Sequence, residues 1–171
     1  ALEAEIPKII EIMKGWYDIK VRGILGGERG DDEEGAILNR RMSWRHGVIE
    51  YEADPKHAEA IIEEMGRTEE SKGLEAPIEK DVINEMGEEE VDEGEEPLEG
   101  AEAKKFRGIA ARANYLGLGR PDIHYTTKEI CRSMSKPKKN SWMKLKRLAR
   151  YLVTYPRLIW KFRDDALAGE E

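Results

Sequence analysis

The sequence predicts an α+β fold: a small, mostly antiparallel sheet with helices, followed by a three-helix module. Three observations predict it. Up to Gly66 the apolar spacing switches between the helical period and the two-residue alternation of strands. Between Arg67 and Gly100 no sustained period survives, and acidic residues dominate. From Ala101 helical spacing returns and persists to Pro156, broken only at turns that carry glycine or proline. The expected organisation is an α/β hairpin region over 1–66, an acidic linker over 67–100, a helical module over 101–163 and a tail over 164–171.

Taken in order, Glu5–Lys14 places Ile6, Ile9, Ile10 and Met13 on one face of a short amphipathic helix, with Pro7 tolerable in the first turn and Gly15 as its stop. "WYDIKVRGIL" alternates Tyr17, Ile19 and Val21 with Asp18, Lys20 and Arg22, which predicts a half-buried strand. "GGERGDDEEG" reads as a polar loop. "AILNRRMSW" and "GVIEYEAD" predict two strands joined as a hairpin around Arg45–Gly47. Asp54 before Pro55 starts a helix whose buried face is Ala58, Ile61, Ile62 and Met65 and whose end is Gly66.

Beyond the linker, Phe106, Ile109, Ala110, Ala113 and Leu116 define the inner side of the next helix. "GLGRPD" breaks it, Asp122 is placed to cap a second helix running to about Met134, and a third starts near Asn140 or Ser141 and stops at Pro156. On this last helix Trp142, Leu145, Leu148, Ala149, Leu152 and Val153 share one arc. Lys144, Lys146, Arg147 and Arg150 occupy the other, so a basic face is expected to meet water or a partner.

The formal net charge of -7 conceals a segregation. From Glu69 to Glu102 there are fifteen acidic residues against Lys72 and Lys80, whereas from Lys104 to Arg163 seventeen Lys and Arg face only Asp122 and Glu129. Such asymmetry points to a polyanion as partner for the basic part, and equally allows the acidic block to fold back on it. The single cysteine, Cys131, excludes an internal disulfide and a multi-cysteine zinc site, which fits a reducing intracellular compartment. No apolar run approaches the roughly 20 residues of a membrane span, and no signal peptide is visible in "ALEAEIPKII". The chain opens without Met, as a processed or excised piece would.

The stretch from Phe106 to Phe162 carries Tyr115-Leu116, Arg120-Pro121-Asp122-Ile123, Lys136-Pro137, Trp142 and Arg150-Tyr151-Leu152 in that order. This order resembles copia-type LTR-retrotransposon reverse transcriptases, RNA-directed DNA polymerases; upstream, "ILNRRMSWRHGVIEYEADPKHAEAIIEEMG" is similar in order but looser. The resemblance implies that residues 1–66 correspond to the end of the palm and its hairpin, and 101–163 to the helical thumb and the start of the connection. It places the catalytic Tyr-x-Asp-Asp strand before Ala1 and the RNase H domain after Glu171. This segment by itself is then non-catalytic and needs no cofactor, Mg2+ belonging only to those two missing sites. Its implied role is to hold an RNA/DNA or DNA duplex. Arg107, Ala111 and Tyr115 match the face that follows the minor groove, with Ala111 where the family normally has glycine. Lys104, Lys105, Arg112 and the Lys144, Lys146, Arg147, Arg150 face would meet backbone phosphates. The rival expectation is a domesticated retroelement fragment, an accessory subunit that docks on a larger protein assembly through apolar helix faces, Trp142 and Trp160. A third is an acidic regulatory module in which Glu85–Glu99 mimics nucleic acid.

Other chemistry-bearing residues read as structural. "GDD" at Gly30-Asp31-Asp32 sits in a Gly-rich polar loop with Glu33 and Glu34 rather than in a tight turn between apolar strands, and Asp164-Asp165 lies in the tail. His46, His57 and His124 lack metal-ligand spacing. Cys131 reads as an inert thiol on a helix, and the glycines of 117–119 as a helix end.

Overall fold

The computed structural model describes residues 5–68, 70–78 and 96–163, and within them five helices accompany one four-stranded antiparallel sheet, the α+β class that the spacing predicts. Three strands follow one another: β1 (Glu34–Ile37), β2 (Arg40–Arg45) and β3 (Val48–Glu52). The fourth, β4 (Ile159–Arg163), returns from the far end of the chain to pair with β3, giving the order β1-β2-β3-β4. The helices are α1 (Ile6–Trp16), α2 (Pro55–Glu64), α3 (Gly100–Gly117), α4 (Pro121–Arg132) and α5 (Lys139–Thr154).

The hairpin at Arg45–Gly47 forms as expected, Arg45 pairing with Val48 across a two-residue turn in which His46 (φ 49°) and Gly47 (φ 73°) are both left-handed. Two left-handed residues give the turn whose twist matches that of the flanking strands. A second turn of the same kind divides the stretch expected to be a single strand: Leu38 (φ 51°) and Asn39 (φ 63°) turn, and Ile37 pairs with Arg40. Asn tolerates that conformation, and Leu38, 74% exposed, packs on nothing that would resist the bend. Met42, Trp44, Ile49, Tyr51, Trp160 and Phe162 line one sheet face. The other is laced by Arg45 to Glu34 (2.8 Å), Lys161 to Glu50 (2.9 Å) and Arg157 to the buried Glu52 (2.7 Å).

The apolar core lies among α2, α3, α4 and α5. Ile61, Phe106, Ile109, Ile123, Ile130, Leu145, Leu148 and Leu152 are all fully buried, so the inner faces of α2, α3 and α5 are those the helical spacing marks. The Asp54 carboxylate accepts the Lys56 N–H at 3.1 Å and so caps α2, which Gly66 follows. Trp142 is half-buried and packs against Phe106, their ring centroids 6.3 Å apart.

Four further expectations are corrected. "WYDIKVRGIL" forms no strand: helix α1 runs through Gly15 to Trp16, and among the described residues those beyond it have no neighbouring strand except a single bridge from Leu25 to Asp32. Alternation alone cannot supply the ladder partner that a strand requires. Asp122 is not a cap. Arg120 occupies the N-cap position of α4, and Asp122, inside the first turn, is the counter-ion of its guanidinium.

The third correction concerns the basic face of α5. Lys144, Lys146, Arg147 and Arg150 are half-buried rather than exposed. At the C-terminal end of the helix the start of the acidic linker lies against it: Arg150 Nε donates to the Lys72 carbonyl at 3.0 Å, Leu74 N–H donates to the Arg150 carbonyl at 3.3 Å, and the Tyr155 hydroxyl bonds Glu75. Near the end of the linker, Glu96 pairs with Lys139 at the other end of α5. The fourth is β4, five residues too short to announce themselves, held by a ladder to a strand more than a hundred positions earlier. The bulk of the acidic linker, including most of Glu85–Glu99, and Asp164-Asp165 lie outside the described residues.

One buried polar network ties the helices to the approach to β4. Arg120, with a side chain 2% exposed, donates to both Asp122 oxygens (2.7 and 2.9 Å) and to the carbonyls of Tyr155 (2.8 Å) and Pro156 (3.0 Å). The Tyr151 hydroxyl donates to Asp122 at 3.0 Å. Burial alone would raise the Asp122 carboxyl, but the hydrogen bonds and charge of Arg120, with Tyr151, outweigh it and hold the group below its ordinary value. Tyr151 is pushed up to about 12, by burial first and by its bond to the carboxylate second. The residues that carry the Arg-Pro-Asp-Ile and Arg-Tyr-Leu matches therefore meet in space, and their contacts there are structural.

Candidate nucleic-acid interface

Helix α3 is divided sharply between inside and outside. Ala103, Phe106, Ile109, Ala110, Ala113, Leu116 and Gly117 face the core, while Lys104, Lys105, Arg107, Gly108, Ala111 and Tyr115 are exposed. At 100° per residue, Lys104, Gly108, Ala111 and Tyr115 fall within about 60° of arc, along a row ~16 Å long at ~1.5 Å per residue. The middle of the row is smooth, because Gly108 and Ala111 project almost nothing. Cations stand at its N-terminal end and along its sides.

These cations differ in how free they are. Lys104 and Lys105 have no hydrogen-bond or ion-pair partner among the described residues. Arg107 reaches past the end of α4 and donates from Nε to the Met134 carbonyl at 2.8 Å and from a terminal nitrogen to Ser135 at 3.4 Å. Arg112 is half-buried in an ion pair with Glu64 of α2. Thus Arg107 and Arg112 hold helices together, a role that their spacing along α3 does not reveal.

At the C-terminal end of the row, Tyr115 is 40% exposed and is held from two sides. His57 of α2 lies against its ring with centroids 4.8 Å apart, and the Arg40 guanidinium sits over it at 5.5 Å. Sequence reasoning missed Arg40 and His57. No local signal could have found them, because the packing of hairpin and α2 on α3 brings them there. The α5 cations Lys144, Lys146, Arg147 and Arg150 belong to a different helix and are half-buried, so they do not extend the exposed row.

The remaining candidates are accounted for locally. Asp31 accepts the Glu28 N–H at 3.2 Å within its turn, and among the described residues no group of three or more His, Cys, Asp or Glu is placed to hold a metal ion. His124 Nδ1 lies 3.3 Å from the Gly117 carbonyl at the end of α3. Burial pushes the Cys131 thiol up, away from the thiolate that reactivity requires. Trp160 is partly exposed on β4, and its indole N–H donates to the Gly119 carbonyl at 3.2 Å. No described helix is long and apolar enough to cross a membrane.

Compared with known protein families, curated proteins and solved structures, the chain finds no match in any of the three.

Proposed function

We propose that this chain binds an RNA/DNA template–primer duplex without itself catalysing polymerisation, as a segment of a retrotransposon-type reverse transcriptase. The observation that carries the reading is the outer face of α3, where small residues permit close approach, lysines with no partner among the described residues stand at one end and an anchored tyrosine at the other. Lys104 and Lys105 would neutralise phosphates, and Gly108 and Ala111 would let a sugar–phosphate backbone lie against the helix. A row of ~16 Å spans about five base steps at ~3.4 Å each, the footprint of one helix on one strand. The surplus of cations after Lys104 would steer a polyanion toward it.

A second reading, an accessory subunit docked on a larger protein assembly, draws on α1, whose Ile9, Ile12, Met13 and Trp16 are all exposed. Titration of the purified chain with a labelled RNA/DNA hybrid at several salt concentrations separates the two. Duplex binding predicts micromolar affinity that falls steeply with salt. The double substitution Lys104→Glu, Lys105→Glu should weaken it and reduce the slope of log K against log salt by about 1.8, at ~0.9 per lost phosphate contact. Absence of binding at low salt refutes the duplex reading.

A further inference from the structure

Residues 17–23, Tyr-Asp-Ile-Lys-Val-Arg-Gly, alternate as a strand does and have no strand beside them among the described residues. Among the described residues, no backbone group from Asp18 to Gly23 is hydrogen-bonded. Pairing begins immediately afterwards, where Asp32 N–H donates to the Ile24 carbonyl at 2.8 Å and Gly26 N–H to the Asp32 carbonyl at 3.3 Å. Asp18, Lys20, Val21 and Arg22 are exposed, and helix α1 just before them buries none of its residues, leaving Trp16 75% and Ile12 55% exposed. An open row of backbone donors and acceptors beside uncovered apolar side chains is a template for another strand.

We propose that this edge pairs with the same edge of a second copy of the chain, antiparallel and centred on Lys20. A twofold interface must be self-complementary, and this stretch is. Centring on Lys20 sets Ile19 opposite the partner's Val21, Asp18 opposite the partner's Arg22 and Tyr17 opposite the partner's Gly23, each occurring twice by symmetry. Tyr17, Ile19 and Val21 then lie on one face of the ladder and the charged residues on the other. The one like-charge pair directly opposite, Lys20 against the partner's Lys20, has both Asp18 carboxylates and both Arg22 guanidiniums as diagonal neighbours. The ladder ends at Gly23, where the Asp32 carboxylate is so close that an added Cβ would lie 1.8 Å from its oxygen. The uncovered arc of α1, with Ile9, Met13 and Trp16, adds apolar surface beside the strand.

Sedimentation equilibrium over a concentration series tests this pairing, which is independent of duplex binding. The expected result is a monomer–dimer equilibrium that Asp18→Arg and Arg22→Asp each weaken about tenfold by replacing two attractive cross-strand pairs with repulsive ones. An equimolar mixture of the two single variants should recover dimerisation, because each chain then meets the opposite charge at both positions. Both sites are exposed, so neither substitution threatens the fold. A chain that stays monomeric throughout overturns the proposal. So does a dimer indifferent to the single substitutions, or one that they weaken and the mixture fails to restore.

Discussion

Replacing Asp122 by Asn should be among the most damaging single-atom changes in this protein. The Arg120 side chain is 2% exposed and Asp122 19%, so the guanidinium is out of water and the carboxylate only partly in it. Removing one partner of such a pair leaves a buried charge uncompensated, at a cost of about 3–5 kcal/mol. Asn keeps one oxygen that can accept a bond, and Arg120 keeps the carbonyls of Tyr155 and Pro156, which argues for the lower end, about 3 kcal/mol. With a urea dependence of ~2 kcal/mol per molar, the unfolding midpoint at pH 7 should fall by about 1.5 M. Tryptophan fluorescence and circular dichroism should report the transition together. The folded-state pKa of Asp122 is depressed, so its stabilisation is present above the unfolded value near 4 and is lost as pH falls through the lower folded value. Wild type and Asp122→Asn should therefore converge in stability at strongly acid pH. A midpoint shift below about 0.5 M, or a difference that persists unchanged into acid, would refute the assignment of that energy to the buried pair.

Further outcomes follow from the same structure. Tyr151 titrates at about 12 in the folded protein, so its stabilisation is complete below its ordinary value near 10 and fades as pH rises from there through 12; Tyr151→Phe should lose that component of alkaline destabilisation in urea titrations between pH 9 and 12. Phe106→Ala removes a fully buried ring from the centre of the helical core and should cost about 3–5 kcal/mol by thermal or urea unfolding. Gly47→Ala forces a side chain into the left-handed turn and should cost about 1–2 kcal/mol, read as a lowered midpoint with an unchanged slope.

The sequence was legible where a local pattern and its tertiary environment agree. Helices α2 and α3 could be read almost to the residue, because Asp54, Pro55 and Gly66 punctuate one and the buried positions of the other repeat without a break. The hairpin at His46–Gly47 was legible for the same reason. The stretch at Tyr17–Gly23 was misread because a strand is a relation between two segments, and alternation describes only one of them. Strand β4 and the turn at Leu38–Asn39 were invisible from the other direction: few residues carry weak propensities, and the ladder partners decide.

The candidate site divides in the same way. By itself, the sequence determined that α3 turns Lys104, Lys105, Arg107, Ala111 and Tyr115 outward, since helical period and apolar content fix which arc a helix buries. Which cations stay available follows from how the helices pack. Arg107 and Arg112 are engaged with Met134, Ser135 and Glu64, Arg150 lies under the Lys72–Glu75 segment, and Arg40 and His57 arrive beside Tyr115 from other elements. The physical reason is range. Periodicity acts within one turn of a helix, whereas a guanidinium pairs with whatever carboxylate or carbonyl the folded chain brings within 3 Å, and no spacing along the sequence encodes that distance.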